Sequence, residues 1–128
     1  MASISNFGPA IAGLSHDSQP IVALSSGLGA VAVIRITGDY SFDIALSILK
    51  RKEASPPKHR QLNLYQLLDP INNEVIDDPL AAFFKGPMSY TGQDTVEIFV
   101  HGGPWIVERS IGLFVAAGCR RAGPGEYT

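Results

Sequence analysis

Two charged residues interrupt apolar stretches of the sequence. Arg35 stands inside the apolar run 33–36, and Glu97 stands inside the run 95–100. If both runs are strands, each charge shares a face with every second neighbour, and a buried charge without a partner is costly. Two interpretations follow. In the first, the charges pair with each other or lie on a solvated sheet face, and the pattern alone favours this interpretation. In the second, they line a polar ligand site.

A glycine loop and a histidine are weaker candidates. Gly27 and Gly29 form a G-x-G sequence after the first apolar run. A dinucleotide-binding fingerprint requires a helix next, whereas a second apolar run follows here, so the pattern favours a tight turn. His101 precedes a predicted helix amino terminus, where anions bind readily, although local hydrogen bonds account for it as well. The Ser-His-Asp sequence at residues 15–17 lies outside any predicted element and does not indicate a catalytic triad.

Composition and missing motifs exclude several functions. The 128-residue chain has a net charge of −2, and no Lys/Arg run stands out, which disfavours a role as the main RNA-holding surface. It contains no phosphate-loop motif G-x-x-x-x-G-K-[ST]. Cys119 is its one cysteine, which excludes an internal disulfide and a cysteine-based zinc cluster. We therefore predict neither catalytic nor metal-ligating residues in this chain.

The first residues have no targeting pattern. Residues 1–20 contain no Lys or Arg, unlike a secretory signal or a transit peptide, and no apolar run has the length of a membrane span. We expect a flexible extension over residues 1–19 and a cytoplasmic protein without a membrane partner.

Strands and helices must position the two charges. Apolar runs and alternation predict strands at Ile21–Leu24, at 30–37, around Leu62, Leu64 and Leu67, at Leu80–Phe84 and at 95–100. The first two strands form a short pair whose edge favours pairing with a second copy of the chain.

Two helices are predicted between and after these strands. The first has Ser41 as its N-cap and reaches Leu49, with the positive residues 50–52 at its carboxyl end, where the helix dipole favours them. The second begins at Pro104 and ends before Gly118. Its predicted buried face consists of Val107, Ile111, Phe114 and Val115. The order of two strands, a helix, three strands and a helix predicts an α+β domain with one mixed sheet.

One long stretch resembles a known family. Residues 84–98, Phe-Lys-Gly-Pro-Met-Ser-Tyr-Thr-Gly-Gln-Asp-Thr-Val-Glu-Ile, and the His-Gly-Gly-Pro sequence at 101–104 closely resemble the signature of the MnmE/TrmE family of tRNA-modification GTPases. Residues 21–24 and 33–38 look like the family's opening strand pair. Residues 124–128 match the segment that precedes its central helical domain. The resemblance extends from Ile21 to the end of the chain.

This resemblance implies a fold and a ligand. A domain over residues 20–128 would bind folate and form a homodimer, with an α+β fold that resembles half of a T-protein-like folate-binding domain and is completed by dimerisation. Arg35 and Glu97 match the family's ligands for 5-formyl-tetrahydrofolate, and His101 is a further candidate. The family's helical and GTPase domains, with GTP, magnesium and potassium, are expected outside this chain, which alone should have no GTPase activity.

The resemblance also implies a reaction and partners. Enzymes of this family add a carboxymethylaminomethyl-type group to the wobble uridine of tRNA, with a one-carbon unit from a tetrahydrofolate and an MnmG/GidA-like flavoprotein as partner. Cys119 does not match the family's reactive cysteine. The first loop differs, because residues 26–30 replace the family's Pro-Gly-Arg-Gly-Gly. Two alternatives stay open: a free-standing T-protein-like one-carbon transferase subunit, or a dimerisation module whose folate site has decayed.

Overall fold

The computed structural model of the protein describes residues 19–25, 29–51, 57–86 and 92–122, which form strands and two helices. In chain order the elements are β1 (Ile21–Leu24), β2 (Val31–Thr37), α1 (Ser41–Ile48), β3 (Leu49–Lys50), β4 (Asn63–Leu64), β5 (Gln66–Leu68), β6 (Val75–Asp77), β7 (Leu80–Phe84), β8 (Thr95–His101), α2 (Pro104–Ala116) and β9 (Arg120–Arg121). The predicted class, α+β with a mixed sheet, is confirmed.

A six-stranded sheet is the centre of the domain, in the order β4-β7-β8-β2-β1-β9. Its middle strands β2 and β8 pair antiparallel over their whole length, from Val31 opposite His101 to Thr37 opposite Thr95. Strands β7 and β1 continue the antiparallel pairing on either side, whereas β9 joins β1 in parallel. Because side chains alternate along β2 and β8, this register decides which residues enter the core.

Both helices pack on the same face of this sheet. Helices α1 and α2 contact each other, and both contact β2 and β8. The buried core joins Ile34 and Ile98 from the sheet to Ile44, Ile111 and Phe114 from the helices. No described helix covers the opposite face, which we call the open face. Its exposed apolar residues are Val31, Leu62, Leu64 and Leu80.

The number of strands and sheets differs from the prediction. Within the described residues six strands, rather than three, lie between the helices, and β3, β5 and β6 form a second sheet. Strands of two or three residues are too short to produce a readable alternation. The edge of the first strand pair is partly covered within the chain, because β1 pairs with β9 at Ile21 and Val22. Pairing of this edge with a second copy stays a prediction.

The start of α1 corrects the predicted cap. Tyr40 is the N-cap residue, in a left-handed conformation with φ 68°, and it makes no side-chain cap hydrogen bond. Ser41 is the first helical residue, and it is buried. Its hydroxyl donates instead to the carbonyl oxygen of Asp94, at 3.1 Å. The hydroxyl therefore ties the helix to the loop before β8 and does not cap the helix.

The end of α1 comes one residue earlier than predicted. The helix stops at Ile48, and Leu49 has extended backbone angles and enters β3. Lys50 and Arg51 therefore lie beyond the last turn. Lys50 still reaches back to the helix, because its Nζ donates to the carbonyl oxygen of Leu46 at 3.1 Å.

Helix α2 follows the prediction more closely. It begins at Pro104, and Gly118 lies beyond its end with φ 128°. The Gly118 amide donates to the oxygen of Val115 and the next amide, that of Cys119, donates to Phe114, which together form a Schellman motif. The assignment of Val115 to the buried face was wrong, because this side chain is 41% exposed.

Of the three leucines predicted on the inward face of the strand around residue 64, only Leu67 is buried. Leu62 and Leu64 are exposed, whereas Tyr65 and Leu67 are buried. The segment divides into β4, which pairs with β7, and β5, which pairs with β3 and β6. The amide of Tyr65 continues the β4–β7 register by donating to the oxygen of Pro79 at 2.9 Å. Burial alternates without interruption from Leu64 to Leu67, but the buried positions are Tyr65 and Leu67. The inward phase predicted for Leu62 and Leu64 was therefore wrong, and the segment contributes to two sheets rather than to one strand.

Candidate functional site

Arg35 and Glu97 lie side by side at the centre of the open face. They are directly opposite each other in the β2–β8 register. Arg35 Nη2 donates to Glu97 Oε2 at 2.8 Å, and Arg35 Nε donates to the same oxygen at 3.2 Å. The side chains are 22% and 17% exposed. The two charges singled out in the sequence are thus brought together as a half-buried ion pair.

Small residues flank this pair on both sides. In the register across four strands, Ala23 of β1 lies opposite Arg35, and Ala82 of β7 lies opposite Glu97. A methyl group is the only side chain at each flanking position, so the sheet forms a shallow polar floor around the pair. Larger residues there would cover the two charged groups. Both alanines are buried, at 8% and 3% exposure, whereas the charged side chains keep 22% and 17% of their surface exposed.

Two threonines adjoin the pair along the strands. Thr37 and Thr95 face each other one step beyond Arg35 and Glu97 on the same side of the sheet, and both are buried. Thr95 Oγ1 donates to the oxygen of Gln93 at 3.1 Å. Thr37 Oγ1 is buried without a hydrogen-bond partner in the structure. Strand alternation predicts that Thr37 shares a face with Arg35, and the structure confirms this, although the sequence did not single out Thr37 as a site residue.

His101 lies at the other end of the same face. It is four residues along β8 from Glu97, a distance of about 13 Å for an extended strand. Its Nδ1 lies 2.7 Å from Asp77 Oδ1, and its backbone amide donates to Asp77 Oδ2 at 2.8 Å. The imidazole side chain is 74% exposed, whereas the Asp77 side chain is 6% exposed. The structure therefore does not place His101 beside the Arg35–Glu97 pair.

Asp77 is the residue that fixes His101, and sequence reasoning missed it. Burial of this carboxylate acts to raise its pKa, but the hydrogen bonds from the His101 amide and ring and from the Asp78 amide outweigh burial, and the pKa of Asp77 lies below its usual value. Its position in the three-residue strand β6 gave no recognisable signal. The pairing holds the imidazole in one orientation, with the ring extending toward solvent.

An apolar cavity of about 310 Å³ lies beside His101 on the open face. It is lined by Val31, Leu62, Asp78, Leu80, Phe99, Val100 and His101. Phe99 lies one step along β8 from Glu97 on the same side of the sheet, so it links this cavity to the ion pair. The ion pair, the ring of Phe99 and the apolar cavity thus follow one another along the open face. This arrangement suits a flat ligand with one polar end.

Cys119 has no place in this site. The thiol is buried, and burial raises its pKa to about 12. Such a thiol is almost entirely protonated near neutral pH, so it is a poor nucleophile and a poor metal ligand. Among the described residues no three His, Cys, Asp or Glu side chains are grouped as metal ligands would be. In the same part of the chain neither helix has the length and apolar character to cross a membrane.

Several predictions concern segments outside the described residues. These are the extension up to residue 18, Ser15, His16 and Asp17 within it, most of the first glycine loop (26–28), the signature segment 87–91 and the closing segment 124–128. They stay predictions. Gly29, at the edge of the first loop, is described and approaches Gly102 closely: a Cβ atom on Gly102 would lie 1.7 Å from the Gly29 oxygen. This contact explains why the histidine of β8 is followed by a glycine.

Comparison with known proteins identifies relatives over nearly the whole described chain. Residues 20–128 match the family model described as the GTP-binding protein TrmE N-terminus. The protein named tRNA modification GTPase MnmE is similar in several bacteria. The identity is 41% over 90% of this chain in Flavobacterium johnsoniae, 37% over 86% in Thermus thermophilus and 38% over 90% in Legionella pneumophila.

These relatives are much longer than the chain. The matched region covers 25%, 26% and 25% of the three proteins, so the chain spans about a quarter of their length. The family model covers residues 20–128, which include both strands of the ion pair, the histidine of β8 and both helices. The chain therefore belongs to the TrmE family and corresponds to its amino-terminal domain.

Proposed function

We propose that this chain is the folate-binding and homodimerisation domain of a GTP-hydrolysing enzyme that modifies the wobble uridine of tRNA. The name of the relatives, tRNA modification GTPase MnmE, supports this activity for the whole protein. GTP, magnesium and potassium would be bound in a GTPase domain beyond the matched quarter, and this chain alone would not hydrolyse GTP. The whole protein would be cytoplasmic and would act on tRNA with an MnmG/GidA-like flavoprotein.

The ligand proposed for the open face is 5-formyl-tetrahydrofolate. A pterin presents a 2-amino group beside a ring N–H, and a carboxylate such as Glu97 accepts from both. The formyl oxygen and the glutamyl carboxylates are acceptors, which suit the guanidinium of Arg35. The polar pair, the ring of Phe99 and the apolar cavity lie along one face in an order that matches the polar and flat parts of a folate. This arrangement is the observation on which the proposal rests.

His101 is proposed as a contact for the far end of the ligand. His101 lies about 13 Å along β8 from Glu97. An extended folate is longer than its pterin ring alone, so a folate whose pterin contacts Glu97 would extend along the strand toward His101. Asp77 holds the imidazole in place, and the ring is largely exposed beside the apolar cavity. A ligand that spans the face would therefore meet the ion pair at one end and the histidine at the other.

The domain is proposed to resemble half of a T-protein-like folate-binding domain, which a second copy of the chain completes. The exposed apolar residues of the open face support this, because a monomer leaves them in water: Val31, Leu62, Leu64 and Leu80 are each between 44% and 64% exposed. Analytical ultracentrifugation of the chain at tens of micromolar is the test. A purely monomeric species at concentrations of roughly that order would contradict the dimer.

Titration with 5-formyl-tetrahydrofolate tests the ligand. Glu97→Ala and Arg35→Ala should each weaken binding by about thirtyfold or more, since each removes a charge-assisted hydrogen bond worth about 2 kcal/mol. The matched control is Glu108→Ala. It removes a carboxylate from the exposed pair with Arg121, where two hydrogen bonds of 2.8 Å join the groups on the outside of α2. This control should bind folate as the parent does.

The same titration distinguishes a folate site from a structural ion pair and from a dimerisation module without a ligand. If Glu97→Ala and Arg35→Ala bind folate as the parent does but unfold at lower temperature, the pair is a structural ion pair and the proposal fails. If the parent dimerises and binds no folate, the chain is a dimerisation module without a working site. The mutual hydrogen bonds of Arg35 and Glu97 favour that second candidate, because they satisfy both charges without a ligand.

A further inference from the structure

The contact between His101 and Asp77 fixes which nitrogen of the imidazole carries the proton. Burial acts to raise the pKa of Asp77, but hydrogen bonds from His101 and Asp78 outweigh burial, and the pKa lies below its usual value. Asp77 is therefore ionised near neutral pH, and a carboxylate only accepts hydrogen bonds. Nδ1 of His101, at 2.7 Å from Asp77 Oδ1, must then be the donor. In the neutral ring the other nitrogen, Nε2, keeps its lone pair.

Nε2 is the nitrogen that the ring offers to a ligand. Within the described part of the chain it makes no hydrogen bond, and the His101 side chain is 74% exposed. The imidazole lines the apolar cavity of about 310 Å³ on the open face. Asp78 is the second titratable group of that lining, and the remaining walls, from β2, β7, β8 and the segment before β4, are the apolar residues Val31, Leu62, Leu80, Phe99 and Val100.

A negatively charged ligand group is disfavoured at this end of the face. Asp77 and Asp78 are consecutive carboxylates, and even with His101 protonated the three groups sum to a charge of about −1. The described lining of the cavity contains no Lys or Arg. A carboxylate or phosphate would therefore meet like charge, whereas an N–H donor would meet the Nε2 lone pair between apolar walls. The position of His101 before a helix amino terminus does not make it an anion contact.

We propose that Asp77 is a positioning residue that holds His101 as a neutral hydrogen-bond acceptor, and that Nε2 accepts from an N–H group in the p-aminobenzoyl part of the ligand. This inference rests on the proposed folate function and names the group that the far end of the site recognises. The benzoyl ring is flat and apolar, as the cavity beside Phe99 requires. Its N–H groups lie between the pterin and the glutamyl carboxylates, which would stay in solvent.

Nitrogen-15 NMR of the imidazoles in the 128-residue chain at pH 8 tests the tautomer without a ligand. His101 should give the signals of a ring with its proton on Nδ1, and His101→Ala assigns them. His59 is the internal control, because the Lys85 amide donates to its Nδ1 at 2.9 Å, so its proton must lie on Nε2. Asp77→Asn places an N–H₂ group where an acceptor oxygen was and should shift His101 toward the tautomer of His59.

Two titrations test the ligand contact. The probes are 5-formyl-tetrahydrofolate and a 5-formyl-tetrahydropterin that lacks the p-aminobenzoylglutamate, and the ratio of their affinities cancels effects at the pterin end. His101→Ala and Asp77→Asn should each lower this ratio by about fivefold, the worth of one hydrogen bond between neutral groups, whereas the control His59→Ala should not change it.

The pH dependence of the same ratio gives the sign of the contact. Histidine side chains change charge between about pH 5 and 8, and a protonated ring has no acceptor. In the parent the ratio should therefore fall from pH 8 to pH 5.5, and in His101→Ala it should stay constant. A ratio that rises toward pH 5.5 would mean that a protonated His101 binds the glutamyl carboxylates, which overturns the proposal.

The remaining outcomes separate this inference from the folate function. A His101 ring with its proton on Nε2 in the parent would overturn the inference whatever the ligand. If Glu97→Ala weakens both probes while His101→Ala weakens neither, the folate function stands and the contact alone is refuted. A parent that binds neither probe refutes the folate function and the contact together.

Discussion

The ion pair of Arg35 and Glu97 should be strongly coupled in the free protein. Exposed ion pairs contribute roughly 0.2–1 kcal/mol, whereas breaking a fully buried pair costs about 3–5 kcal/mol. With side chains 22% and 17% exposed, this pair lies between the two limits. Arg35→Met and Glu97→Leu should each cost about 2 kcal/mol, because each leaves the other charge in the sheet without its partner.

The double variant should be more stable than either single variant. Arg35→Met/Glu97→Leu removes both charges and leaves apolar side chains between Ala23 and Ala82, so its cost should be about 1 kcal/mol or less. The coupling free energy of the cycle is then about 3 kcal/mol, the sum of the single costs minus the double cost. Each single variant should lose roughly 8 °C in Tm.

Urea unfolding followed by far-ultraviolet circular dichroism measures this cycle. Trp105 is 63% exposed, so its fluorescence is a poor reporter of unfolding. The control cycle replaces Arg121 and Glu108, an exposed pair, 53% and 60% exposed, with hydrogen bonds of the same length. Its coupling should be far smaller and should vanish in 1 M salt, where charges are screened beyond about 3 Å. Additive costs for Arg35→Met and Glu97→Leu would refute the reasoning.

Three further predictions concern acid stability, thiol reactivity and one close contact. Asp77→Asn should be less stable than the parent at pH 5–8, and the difference should shrink as pH falls below about 4. The reason is that a carboxylate with a depressed pKa stabilises the fold only while it is ionised. Urea midpoints measured against pH test this. Cys119, with its pKa raised to about 12, should not react with a thiol reagent at pH 8 until guanidinium unfolds the chain. Gly102→Ala should cost about 2 kcal/mol or more, because its Cβ would meet the oxygen of Gly29, whereas Gly103→Ala, with nothing within 4 Å, should cost at most about 0.5 kcal/mol. Equal urea midpoints for the two glycine variants would contradict that close contact.

The sequence located both charges of the candidate site and offered their pairing as one interpretation, but it did not decide between that pairing and a ligand site. Arg35 and Glu97 were recognisable because each interrupts an apolar run, and that signal is local. Their pairing depends on the β2–β8 register between residues 62 positions apart, which no local pattern encodes. The same limit applies to His101, whose partner Asp77 lies 24 residues away in a three-residue strand. Non-local pairing therefore separates what could be predicted from what could not.

Errors in the predicted elements have a related cause. Ser41 has the residue type of an N-cap, but the loop before β8 offers its hydroxyl a carbonyl acceptor, and Tyr40 takes the cap position. Leu62 and Leu64 have the composition of a buried strand face, yet Tyr65 and Leu67 occupy the buried positions of the alternation and leave Leu62 and Leu64 on the open face. In both cases tertiary contacts outweighed local preference.

The pairing of Arg35 with Glu97 also restricts which ligands this face can bind. A simple anion would draw the guanidinium away and leave Glu97 half-buried without its partner, at the energetic cost worked out above. A simple cation would draw the carboxylate of Glu97 away and leave Arg35 half-buried without its partner. A ligand edge that presents donors to the carboxylate and an acceptor to the guanidinium replaces both hydrogen bonds and leaves neither charge unsatisfied. Selection against free ions thus follows from the pair itself, and a neutral heterocycle with adjacent donor and acceptor groups, such as the pterin of the proposed folate, meets the requirement.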